Sequence, residues 1–93
     1  MSKKEKIQDR PVIEEITDRT GIHYLILYND EINTFDFVIE SLVDVCFMNT
    51  VHAEHCALIA HYKGKCDVKK GALINLKPMK DELNNRGLNV VIC

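Results

Sequence analysis

No stretch of this sequence approaches the roughly 20 apolar residues that span a bilayer. No apolar core of an export signal follows the basic start, so the chain is expected to stay in the cytosol, with no membrane partner. Neither sign of charge dominates: 12 Lys plus Arg stand against 14 Asp plus Glu, a formal net charge of -2. Phosphate contacts need a concentrated basic face, which argues against a general nucleic-acid binder. At 93 residues the chain is also too short for two independent cores. Internal repeats and low-complexity tracts are missing.

The motifs of common chemistries are missing too. There is no C-x-x-C, no H-E-x-x-H, no G-x-S-x-G and no Gly-rich phosphate loop, so neither catalysis nor a cofactor is expected. The cysteines at 46, 56, 66 and 93 read as free thiols, most of them buried as small apolar groups. His52, His55, Cys56 and His61 crowd one helical stretch. At 100° per residue His52 and Cys56 lie about 40° apart, whereas His61 sits about 180° from His52. One ion cannot be reached from both faces, and no metal site is expected.

What is present is a patterned domain behind a charged leader. Residues 1–20 carry ten charges, five of each sign, and few strong apolar groups. They read as a mobile arm, or as a marginal helix over Val12–Asp18 that orders against a partner. From Gly21 to Cys93 the pattern tightens into one core domain. His23–Tyr28 is aromatic and branched, as a strand requires. After the polar loop Asn29–Thr34, a helix begins with Asn33 as its cap and Asp36 in its first turn. Val38, Ser41, Leu42, Val45 and Cys46 then form one buried stripe. Asn49-Thr50 caps a second helix, Val51–Lys63, which Gly64 ends. A second strand follows over Lys65–Lys70, closed by Gly71.

A third helix covers roughly Leu73–Arg86, with Leu73, Leu76, Met79 and Leu83 on one side and Gly87 past its end. Pro78 leaves its start open. Capping by Asn75 puts the proline harmlessly in the first turn, whereas a start near Ala72 puts it inside. Leu88–Ile92 is the last strand. The order β-α-α-β-α-β implies an α+β domain with three helices packed on a three-stranded, mostly antiparallel sheet.

One constellation invites a recognition role. Asn29, Asp30, Glu31 and Asn33 lie in the loop before the first helix, and His61 near the end of the second. The helical hairpin is antiparallel, so these segments can converge, with Val38, Ala57 and Ala60 as an apolar floor. Amide, carboxylate and imidazole acceptors beside a hydrophobic hole suit an ammonium group next to an apolar side chain, as at a peptide's own N-terminus. The plainer alternative is that Asn29-Asp30 only makes the turn and His61 is an ordinary surface residue.

The run Leu25-Ile26-Leu27-Tyr28-Asn29-Asp30-Glu31 leading to Phe37-Val38-Ile39, together with Ala60-His61-Tyr62-Lys63-Gly64-Lys65, resembles the ClpS family. Those proteins are adaptors that deliver N-degron substrates to a ClpA- or ClpC-type unfoldase. The resemblance covers Tyr24 to Cys93. It implies that Asn29, Asp30 and His61, with Glu31 contributing charge, hold the substrate's α-amino group. Asn33 and Phe35 would flank the entrance, and Val38, Ala57 and Ala60 would line a pocket for the hydrophobic first residue. It further implies that the arm engages the unfoldase and that the folded domain docks on the unfoldase's N-terminal domain; separately, a monomer is expected.

This chain departs from the family at several of these positions. Asn33-Thr34 stands where Thr-Pro is usual, and Phe35 is bulkier than the usual Met. Ala57 and Ala60 replace larger side chains, which should deepen or widen the hole unless Phe35 swings in to refill it, and so shift the preference to tolerate β-branched or larger first residues. The rival expectation is an interaction domain that docks on a Clp chaperone but has lost the pocket.

Overall fold

The computed structural model describes residues 21–93, so the charged segment 1–20 and the helix considered over Val12–Asp18 lie outside the described residues. The elements run β1 (His23–Tyr28), α1 (Phe35–Cys46), α2 (Thr50–Lys63), β2 (Lys65–Gly71), α3 (Leu73–Asn85) and β3 (Val90–Ile92). β1 is the central strand of a three-stranded sheet ordered β2-β1-β3, and both of its pairings are antiparallel. The expected β-α-α-β-α-β domain is therefore the one observed.

Alternation in β1 explains the layering. Leu25 and Leu27 are buried while Tyr24 is exposed and Ile26 and Tyr28 are half-buried, so one face of the sheet turns to the helices. There the two leucines meet Leu42 and Cys46 of α1, Ala53 and Cys56 of α2, and Leu76 and Leu83 of α3. Each fully buried leucine contributes about 2 kcal/mol relative to an exposed one. The stripe expected on α1 is buried at Ser41, Leu42, Val45 and Cys46, with Val38 half-buried at its start.

Two boundaries differ from the sequence reading, and the start of α3, which it left open, is decided. The α1 cap is Thr34, not Asn33: Thr34 Oγ1 accepts from the Phe37 N–H at 3.1 Å. Asn33 cannot serve because its side chain is bonded elsewhere, as described below. α3 starts after Ala72 with no side-chain cap, so Asn75 is not its cap and Pro78 lies in the helix interior. The proline removes the donor that would meet the Ile74 carbonyl, on an exposed flank where water can replace it. β3 is shorter than expected because the Leu88 N–H turns back to the Leu83 carbonyl and closes α3.

β2 carries one irregularity. Leu25 pairs with Lys69 and Ile26 with Asp67, which leaves Val68 as the extra residue of a bulge. Lys69 is thereby directed to the Cys46 carbonyl, 3.1 Å away, and satisfies an orphan acceptor at the end of α1.

Candidate functional site

The site begins with a backbone stitch. Tyr28, the last residue of β1, pairs with Lys65, and the next residue, Asn29, donates its N–H to the Gly64 carbonyl at 3.0 Å. Gly64 ends α2 in the left-handed region at φ 94°, its own N–H bonded to the Ala60 carbonyl. The loop after β1 thus starts beside the last turn of α2, which carries Ala60 and His61. Its other end enters α1 through the Thr34 cap, one turn before Val38.

Between these segments lies a pocket of about 360 Å³. Asn29, Asp30, Glu31 and Asn33 line it from the loop, and His61 from α2. Phe35 and Val38 line it from α1, and Ala57 and Ala60 from α2. All nine residues singled out in the sequence border this one cavity. Two more line it that the sequence reading passed over, Leu27 and Tyr28. Their signal was position: they close the strand immediately before the loop.

The walls divide by chemistry. Ala57 and Ala60 are 3% and 4% exposed, so their methyl groups form a dry surface. Phe35 is 41% exposed at the start of α1. On the polar side Asn29, Glu31 and His61 are exposed, and the His61 ring meets Tyr62 edge-on with centroids 5.0 Å apart.

Asp30 is the organised group of the loop. Its Oδ1 accepts from the N–H groups of Ile32 at 2.9 Å and Asn33 at 2.8 Å, and its Oδ2 accepts from Asn33 Nδ2 at 3.0 Å. Burial pushes its carboxyl up, but the bonds from the Asn33 backbone, the Asn33 side chain and the Ile32 backbone together hold it below the usual carboxylate value. With about four acceptor positions on a carboxylate and three in use, one on Oδ2 remains for a ligand. Asp30 is therefore a loop-builder first, as the plainer reading of Asn29-Asp30 expected of it. The Asp-x-x-Asn spacing was the available signal, since a carboxylate commonly bonds backbone N–H groups two and three residues on.

His52, His55, Cys56 and Cys66 line a different concavity, of about 510 Å³, to which His61 does not contribute. Among the described residues no group of three His, Cys, Asp or Glu is placed to hold a metal ion. All four cysteines are free, with Cys46, Cys56 and Cys66 buried and Cys93 exposed. No helix among the described residues is long and apolar enough to cross a membrane.

This arrangement can hold a cation beside an apolar group, and comparison with known proteins assigns its lineage. The family model of the ATP-dependent Clp protease adaptor protein ClpS matches residues 18–91. The chain belongs to the ClpS family. The fold agrees: it is similar to that of ClpS2 from Agrobacterium tumefaciens, solved bound to L-phenylalaninamide, with a TM-score of 0.76 at 20% sequence identity. That likeness covers 81% of this chain and 98% of the other. The sequence has no match among curated proteins. The chain is thus a Clp adaptor by family, with the ClpS fold.

Proposed function

We propose that this ClpS-family chain captures substrates by their free N-terminus and delivers them to a ClpA- or ClpC-type unfoldase in the cytosol, acting as a monomer and without catalysis. The substrate's α-amino group sits against the loop. The Asn29 side-chain oxygen, the remaining acceptor position of Asp30 and a neutral His61 nitrogen take its hydrogens, and Glu31 adds negative charge. The first side chain enters the cavity between Phe35, Val38, Ala57 and Ala60, with Asn33 at the rim.

The observation that carries this reading is the shared wall. Acceptors from the β1–α1 loop and the end of α2 border the same cavity as the two buried alanine methyls. Phenylalaninamide, the ligand in the ClpS2 structure, pairs a free α-amino group with an aromatic side chain. That is the combination of chemistries which this cavity offers.

Calorimetric titration with a Leu-initiated peptide, free and N-acetylated, tests the proposal. Acetylation removes the charge and two donors, and charge-assisted hydrogen bonds contribute about 1.5–3 kcal/mol each. The free peptide should bind at least about 100-fold tighter than the blocked one. Equal affinities, or no binding by either, defeat the proposal; the latter leaves a chaperone-docking domain.

A further inference from the structure

Asn33 neither caps α1 nor extends into solvent. Its Nδ2 lies 3.0 Å from Asp30 Oδ2 and 3.0 Å from the Gly87 carbonyl, so both hydrogens of one amide nitrogen are committed. Its backbone N–H is bonded to Asp30 as well. Two parts of the chain separated by 54 positions are joined through this one side chain.

The far end of that link is itself held. Gly87 adopts φ 94°, its N–H bonded to the Asn84 carbonyl, and the Leu88 N–H reaches the Leu83 carbonyl to close α3. The neighbouring Arg86 pairs with Glu82 in α3 at 3.2 Å and with Asp44 in α1 at 3.5 Å. The Gly87 carbonyl is therefore a fixed point relative to two helices.

We propose that Asn33 is the positioning residue of the amine site, a staple that sets the bearing of the Asp30 carboxylate by reference to the turn after α3. The proposal rests on the N-terminus-binding reading given above and deepens it. The two backbone donors both act on Oδ1, the oxygen turned into the loop. Among the described residues Asn33 Nδ2 is the only donor on Oδ2, the oxygen that retains an acceptor position for substrate. Without the staple Oδ2 loses its partner, and the loop loses its side-chain link to the body of the domain. Asn33 itself need not touch the ammonium group.

Asn33→Ala and Asn33→Asp, titrated beside the wild type with free Leu- and Ala-initiated peptides, test this role. A carboxylate at 33 adds negative charge beside a cation site, so charge alone predicts tighter binding by N33D. Loss of the staple predicts weaker binding by both variants, about tenfold. The Leu-to-Ala affinity ratio should not change, because the apolar wall is untouched. The Asp30 carboxyl, followed by carbon NMR in the peptide-free protein, should titrate higher in N33A once its charged form loses a donor. A general loss of stability would not move that midpoint. Wild-type affinity in both variants, tighter binding by N33D or an unmoved Asp30 midpoint overturns the role alone. A wild type that binds no free peptide overturns the underlying reading with it, a pattern distinct from tight binding by all three proteins.

Discussion

The backbone N–H of Asn29 donates to the carbonyl of Gly64 at 3.0 Å, so the first residue of the loop is bonded to the residue that ends α2. The two polar contributors to the pocket, loop and helix end, are thereby tied together. Gly64 makes this possible by holding φ 94°, where a side chain strains the backbone.

Gly64→Ala isolates that strain. A Cβ at this position would meet nothing within 4 Å, so the cost is conformational and not steric. It should amount to about 1–2 kcal/mol, visible as a lower urea midpoint with an unchanged m-value. A variant as stable as the wild type would mean that the left-handed turn does not constrain the chain.

The Asp30 network gives a pH dependence of defined sign. Burial pushes its carboxyl up, but three hydrogen bonds together outweigh that and hold it below the ordinary value. A group with a depressed folded-state pKa adds stability above its unfolded value, about 3.9, and loses it as pH falls through the folded value. The stability difference between wild type and Asp30→Asn should therefore be constant from pH 7 to about 5 and shrink below about pH 4. Urea unfolding across that range measures it; a difference that grows on acidification contradicts the assignment.

These two residues also show how far the sequence could be read. Gly64 and Asn49 announce the ends of α2 through local chemistry, and the α1 stripe announces its buried face through spacing. Asn33 and Thr34 are both good caps, however, and the choice between them is made by a carbonyl at Gly87, which no local pattern reveals. α3 starts at Leu73 despite Pro78 because burying Leu76 and Leu83 outweighs one lost hydrogen bond. The pocket's membership was legible because an antiparallel helical hairpin returns the end of α2 to the start of α1, beside the loop after β1. That Asp30 builds the turn was legible as an alternative, but which donors it takes was not, because a carboxylate's partners depend on the loop's backbone path.

The thiols should separate sharply in reactivity. Burial, then the neighbouring Cys56 thiol and Asp67, push the Cys66 thiol up to about 12. At pH 8 that leaves about one part in ten thousand as thiolate, the reactive form. Burial raises Cys56 and Cys46 as well, while Cys93 is exposed. A disulfide reagent should label one thiol promptly in the native protein and the remaining three only after denaturation. Prompt labelling of two or more would show that the core around α2 and β2 opens readily.

Ala57 and Ala60 should govern which first residues the cavity admits. Their methyls are nearly fully buried against a cavity of about 360 Å³, and neither side chain reaches across it. Peptides starting with Leu, Phe, Trp, Ile and Val should therefore all bind the wild type, with tolerance for bulk and for β-branching. Ala57→Met adds three heavy atoms to the wall. It should lower the Trp-to-Leu affinity ratio by about tenfold or more, since a single misfitted methylene changes discrimination by about 1–3 kcal/mol. The acetylated-to-free ratio should stay as in the wild type, because the substitution leaves Asn29, Asp30, Glu31 and His61 in place. An unchanged ranking in Ala57→Met would mean that the first side chain does not enter between α1 and α2, and the cavity would lose its role in selection.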